Sequence, residues 1–208
     1  MYEVEQKFSI SNKTTDVDEN LLIEIGCQPS GRCQQIDWYL VHPTRDFSVT
    51  DEALRIRSVQ IDDQRSQTML TYKGPRQQAN TTGRDFKTRR ELEFAIQSFG
   101  GTDDAEPEQL AQLFAALGFQ KRFQVGKTRH TFVLQKWERQ FEFALDDVTD
   151  LGRFLEIQTM VKQDAIEGAQ QQICELANQI QLHSPITASY LELLLSRDNA
   201  DDSPESTS

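Results

Sequence analysis

Glu3, Glu5 and Lys7 open the chain at alternate positions. In an extended strand successive side chains point to opposite faces, so two carboxylates and an ammonium crowd one surface while Val4 and Gln6 take the other. The alternation recurs. Arg55 and Arg57 alternate with Leu54 and Ile56, Thr71 and Lys73 with Leu70 and Tyr72, and Lys87, Arg89, Glu91 and Glu93 share one parity. Lys127 and Arg129 form another such face, Glu142 and Asp146 flank Ala144, and Glu156 and Gln158 alternate with Leu155 and Ile157. Carboxylates at this spacing suit a hard divalent cation, and the bases suit phosphate oxygens, arginine as a planar fork and lysine as a point charge.

Periodicity leaves the direction of these faces open, because the solvated side of an open antiparallel sheet alternates in the same way. Composition favours an enclosed face, since the candidate positions mix Glu, Asp, Lys and Arg rather than the Thr, Ser and Lys of a plain outer sheet. A closed barrel with a hydrophilic lumen would set these charges opposite one another. Burying so many ions merely to satisfy each other is costly, which favours a lumen that binds a ligand over one filled with salt bridges.

Glu3-x-Glu5-x-Lys7, Asp51-Glu52-Ala53-Leu54-Arg55-Ile56-Arg57, Leu70-Thr71-Tyr72-Lys73-Gly74-Pro75, Arg90-Glu91-x-Glu93 and Leu145-Asp146 with Leu151-Gly152-x-Phe154-x-Glu156 together resemble the CYTH superfamily, the triphosphate tunnel metalloenzymes. The Asp51 to Arg57 run, the Lys73 block and the closing Ser189-Tyr190-Leu191-Glu192-Leu193-Leu194 look most like class IV adenylyl cyclases, and the resemblance runs in order from Met1 to about Leu195. It implies an α+β fold: a closed antiparallel β-barrel with helices packed outside. It also implies an enzyme acting on a nucleoside triphosphate or inorganic triphosphate with Mg²⁺ or Mn²⁺. Lys7, Arg55, Arg57, Lys73, Arg89 or Arg90, Lys127 and Arg129 would line the phosphate path. Glu3, Glu5, Glu91, Glu93, Asp146 and Glu156 would hold metal, with Glu3, Glu5, Lys7 and Asp146 as the catalytic set.

Two departures bear on that assignment. The last barrel strand of the family commonly carries Glu-x-Glu, whereas Glu156-Ile157-Gln158 ends in an amide that offers a carbonyl oxygen but no charge. Parity puts Arg89 on the face of Glu91 and Glu93, whereas the resemblance aligns Arg90 nearly as well and would then require a bulge. The reaction stays open between a cyclase forming cyclic AMP and pyrophosphate, a hydrolase of inorganic or thiamine triphosphate, and a noncatalytic polyphosphate or nucleotide sensor. Cations crowding an empty lumen repel one another, so deletion of Arg57 or Lys73 is expected to leave stability unchanged or raised.

A chain of 208 residues, 37% hydrophobic and 26% charged, suits one soluble domain over 1–196 with a disordered acidic tail over 197–208. No apolar run approaches a membrane span and no secretory signal opens the chain, so the expected location is cytoplasmic. A net charge of −11 repels nucleic acid and anionic membrane as partners, leaving room for a small polyanion at a local basic site and for a homodimer. Cys27, Cys33 and Cys174 lack metal-ligand spacing and read as reduced thiols. P-loop, GxGxxG, HExxH and GxSxG motifs are absent, and His42, His130 and His183 are scattered.

The elements that must position these residues can be sketched. Strands are expected over 31–41, 51–61, 68–73, 86–96, 119–135, 140–146 and 153–161, with a turn at 62–65 and loops at 42–50 and 75–83, the latter placed to cover a tunnel mouth. Trp38 and Tyr39 read as packing residues. Helices are expected over 14–25, capped by Thr14, Thr15 or Asp16, then over 104–117 with Leu110, Leu113, Phe114 and Leu117 facing the core, and over 164–182 and 187–196.

Overall fold

Alternation of polar and apolar side chains along much of the chain accompanies eight strands among the described residues: β1 (Tyr2–Ser9), β2 (Gln28–Val41), β3 (Ala53–Gln60), β4 (Ser66–Lys73), β5 (Lys87–Ile96), β6 (Gln120–Lys136), β7 (Arg139–Val148) and β8 (Gly152–Val161). The computed structural model describes residues 1–10, 17–61, 66–75, 86–97 and 106–201. The strands close into an antiparallel barrel in the order β1-β5-β4-β3-β2-β6-β7-β8. Closure gives every strand two neighbours, so the sheet has no open edge.

The hydrophobic core lies outside the barrel. Val4 and Phe8 of β1, Phe141 and Phe143 of β7, and Leu155 and Ile157 of β8 pack outward against α4 (Ile166–Gln179), which contributes Ala169, Ile173, Leu176 and Ala177. On the opposite wall Leu40, Leu54 and Ile56 meet Leu110 and Phe114 of α3 (Pro107–Ala116). Apolar surface removed from water on the outer wall stabilises by about 25 cal/mol per Å², which leaves the inner wall free to carry charge. A third cluster plugs one barrel end, where Val125, Val148 and Phe154 surround Tyr190 at the start of α5 (Tyr190–Asp201).

Several boundaries differ from the sequence reading for identifiable reasons. Helix α1 (Glu19–Glu24) begins later because Asp18 caps it, its Oδ1 accepting from the Leu21 amide at 2.9 Å. Thr14, Thr15 and Asp16 lie outside the described residues, as do the 62–65 turn, the 76–83 part of the mouth loop and the first residues expected of the second helix. Within the 42–50 loop Asp46 caps a single helical turn, α2 (Phe47–Thr50), accepting from the Ser48 amide. In α3, Leu113 and Leu117 are exposed rather than buried, since the helix lies on the flat outer face of β3 and covers only the Leu110 and Phe114 stripe. Helix α5 begins at Tyr190 through a capping box, in which Ser189 Oγ accepts from the Glu192 amide and the Glu192 carboxylate accepts from the Ser189 amide. It runs on to Asp201, five residues into the segment expected to be a tail, while 202–208 lie outside the described residues. All three cysteines are free thiols.

Candidate triphosphate site

Inward-facing positions of the strands enclose a cavity of about 960 Å³ lined by Glu3, Glu5, Lys7, Arg55, Arg57, Lys73, Lys87, Arg89, Glu91, Glu93, Lys127, Arg129, Glu142, Glu156 and Gln158. Register sets opposite charges across from one another. Glu3 pairs with Arg89 and Glu5 with Lys87 along β1 and β5, Lys7 with Glu156 along β1 and β8, and Lys73 with Glu91 along β4 and β5. Arg89 is buried and Arg90 exposed, so the strand keeps its parity through this region without a bulge.

Arg57 donates from Nε and Nη2 to the two carboxylate oxygens of Asp37 at 2.5 and 2.7 Å, and Arg55 reaches the same group at 3.3 Å. Arg129 makes a matching fork on Asp146, at 2.6 and 2.5 Å, while its Nη2 also donates to Glu156 at 2.5 Å. Burial pushes the Asp146 carboxyl up, but Arg129 and Lys127 outweigh it and hold the group below the ordinary range. Glu156 is held down in the same way, chiefly by Arg129 against its own burial. Lys73 donates to Glu3 at 2.6 Å and lies 3.5 Å from Glu91. Burial would lower its pKa, yet Glu3 and Glu91 hold it above the usual lysine value.

For three lysines burial outweighs the neighbouring carboxylates. Lys87 is 3.9 Å from Glu5, and burial, with Lys7 and Arg89 adding like charge, pushes its pKa down to about 8. Burial and the adjacent Arg129 do the same to Lys127, also to about 8. Lys7 is lowered by burial as well; its Nζ donates to the Ala188 carbonyl at 2.5 Å and sits 4.2 Å over the Tyr190 ring. The Nε atoms of Arg55 and Arg89 are buried with no hydrogen-bond partner. Buried donors of this kind are costly unless a ligand accepts from them, and phosphate oxygens are suited to do so.

The carboxylates divide into two groups. Asp146 does not line the cavity; its oxygens are taken by Arg129, by Lys127 at 3.3 Å and by the Tyr190 hydroxyl at 2.8 Å. Asp146, expected among the metal ligands, is thus already engaged at both oxygens, with Oδ1 keeping further acceptor capacity. Glu93 sits at the rim, accepting from Thr71 Oγ1 at 2.7 Å. Glu3, Glu5, Glu91, Glu142 and Glu156 face the cavity. Among the described residues no three His, Cys, Asp or Glu converge as a protein-only metal cage. Burial pushes the Glu3 and Glu142 carboxyls up, with Glu91 adding like charge at Glu3 and Glu156 at Glu142. Hard oxygen donors that disfavour their own charge fit a divalent ion completed by phosphate oxygens and water. Gln158 donates to Glu142 at 2.9 Å, so its amide holds a carboxylate in place.

Asp37, Tyr190, Lys87 and Glu142 were absent from the residue set expected from the sequence. Parity places Lys87 and Glu142 on the faces of Arg89 and Asp146, but the resemblance assigns neither a role. Both aromatics expected to pack do so, Trp38 on the outer wall beneath Lys121 and Tyr39 against the cluster around Tyr190, where it also lines the cavity.

The CYTH domain family model matches residues 1–190. The chain belongs to the CYTH domain family. A Methanocaldococcus jannaschii protein bearing the provisional name adenylate cyclase is 32% identical over 197 residues, covering 93% of this chain and 98% of its own. A solved Pyrococcus horikoshii protein superposes with a TM-score of 0.74 at 31% identity, over 94% of this chain and 99% of its own. At 12% identity and a TM-score of 0.58, over 94% and 95% of the two chains, a Hippeastrum protein described as an adenylyl cyclase candidate with dominant triphosphatase activity shares the fold. Among the described residues no helix is long and apolar enough to cross a membrane.

Proposed function

We propose that this CYTH protein is a class IV adenylyl cyclase that converts ATP to cyclic AMP and pyrophosphate with a divalent metal, Mg²⁺ or Mn²⁺. The observation that carries the reading is one continuous cavity in which buried cations give way to an end of mixed character. Tyr39, Phe47, Leu54, Phe123 and Leu191 line that end among the polar Asp46, Ser48, Glu52 and Arg122, where β2 finishes and β3 and β6 begin. A triphosphate matches the cationic part, and a purine with its ribose matches the rest.

In this reading Arg57, Arg129, Arg55 and Arg89 fork the nonbridging oxygens, and Lys7, Lys73, Lys87 and Lys127 supply point charge. A bound polyanion restores full protonation to Lys87 and Lys127, so both act as clamps. The ribose 3′ oxygen attacks the α phosphorus, the bond from that phosphorus to the bridging oxygen breaks, and pyrophosphate leaves. The 3′ hydroxyl proton passes to water; Glu142, opposite Val133 at the far end of β6 from Phe123 and held by Gln158, stays with the phosphate and metal end. Enzymes of this superfamily depend on divalent metal in general; Glu3, Glu5, Glu91 and Glu156 would hold it, and it would neutralise charge developing on the phosphates.

A triphosphatase reading draws on the same cations, since none of them needs a base to be present, and on the activity described for the Hippeastrum protein. Incubating the protein with Mn²⁺ or Mg²⁺ and ATP, inorganic triphosphate or thiamine triphosphate separates the two. Cyclic AMP with pyrophosphate supports the cyclase. Orthophosphate identifies a hydrolase, and binding without product identifies a sensor; either outcome overturns the cyclase.

A further inference from the structure

Asp37, like Asp146, is 2% exposed and pairs with a lumen arginine, yet it does not line the cavity that the arginines line. Its place follows from register: Asp37 on β2 faces Arg57 directly across on β3, and Tyr39 faces Arg55 two residues on. The carboxylate takes the Nε and Nη2 edge of Arg57, which leaves the Nη1 side of the planar guanidinium as the edge turned away from Asp37. Across the wall Asp146 on β7 grips Arg129 on β6 through the same two nitrogens. The four strands involved, β3, β2, β6 and β7, are consecutive around the barrel.

We propose that Asp37 is a positioning residue for the triphosphate reaction, fixing Arg57, and Arg55 beside it, in the orientation that aligns the phosphate chain. The lumen is thereby divided. One half of the wall presents Arg55, Arg57 and Arg129 locked by buried aspartates, beside Lys127 and Glu142, and β1, β5, β4 and β8 present Arg89 with most of the lysines and glutamates. The first half supplies direction and the second supplies charge. Burial opposes ionisation of Asp37, but Arg57 and Arg55 hold its carboxyl far below the usual range, so it stays charged across the working pH.

The proposal rests on the triphosphate reading, and its signature is a separation of binding from turnover. Asp37→Asn keeps the shape but releases the charge that locks Arg57. The lumen becomes more positive, so inorganic triphosphate measured by calorimetry should bind as tightly as to wild type or more tightly. Turnover should fall by roughly 10- to 100-fold in kcat, the scale of loss when a reacting group is misplaced by about an ångström. In an Arg57→Met background, where only the longer contact from Arg55 remains on Asp37 and which serves if Asp37→Asn alone fails to fold, adding Asp37→Asn should change kcat by no more than a few-fold. Wild-type kcat in Asp37→Asn, or an equal loss with and without Arg57, overturns the positioning role. Weaker triphosphate binding in step with lost turnover also overturns it, marking Asp37 as a structural partner only. Absence of triphosphate binding and turnover in the wild type removes the triphosphate reading, and this inference with it.

Discussion

Replacing Lys87 with methionine should stabilise the empty protein. Lys87 is 5% exposed, and its pKa falls from 10.5 to about 8 through burial and the charges of Lys7 and Arg89. A tenfold loss of proton affinity corresponds to about 1.4 kcal/mol, so keeping this ammonium charged at pH 7 costs the fold about 3 kcal/mol. Methionine fills similar space without the charge. The attraction to Glu5, 3.9 Å away, already opposes burial within that shift, so it is not subtracted again. A net rise of up to about 3 kcal/mol raises Tm by up to about 12 °C for a domain of this size. The unfolded chain holds the lysine proton up to about 10.5, whereas the folded chain releases it near 8. Between these values the unfolded state binds more protons, so wild-type stability rises with pH and the advantage of Lys87→Met shrinks. Differential scanning calorimetry in chelator at pH 7, 8, 9 and 10 checks both the sign and the slope. A variant melting below wild type at pH 7, or a difference constant with pH, would refute the account of Lys87 as a lumen cation whose burial outweighs the neighbouring carboxylates.

Arg57→Ala and Lys73→Ala are expected to lower Tm, by about 3 to 5 kcal/mol of stability for Arg57, because each deletion strands a buried carboxylate. The ion pairs to Asp37 and Glu3 thus reverse the expectation that deleting Arg57 or Lys73 leaves stability unchanged or raised; thermal melting without ligand decides it. Gln158→Glu places a third acid beside Glu142 and Glu156, so it should lower Tm in chelator and enlarge the Tm gain on adding Mn²⁺, and an unchanged gain places residue 158 away from metal. Glu5→Ala and Glu91→Ala are each expected to abolish metal-stimulated turnover while far-UV circular dichroism stays native; activity surviving in either variant removes that carboxylate from the metal set. Tyr190→Phe deletes the hydroxyl donor to Asp146 and should cost about 1 kcal/mol, read by urea denaturation.

The sequence by itself determined which side chains share a face. A period of two separates Glu3, Glu5 and Lys7 from Val4 and Gln6 whatever the sheet does, and the same rule assigned Arg89 rather than Arg90 to the face of Glu91. Helix ends were legible at Gly26 and Gly118, whose positive φ angles suit the left-handed position after a helix. Periodicity could not decide which face is enclosed. That depended on closure of eight strands and on α3 and α4 covering the outer wall, so the apolar core came to lie outside a charged lumen. Nor could it decide which charges neutralise one another. Lys73 meets Glu3 across 70 residues of chain, and Asp146 turns from the lumen because Arg129, Lys127 and Tyr190 claim its oxygens. Such pairings are set by strand register and side-chain reach between segments distant along the chain, and they exist only once the barrel has closed.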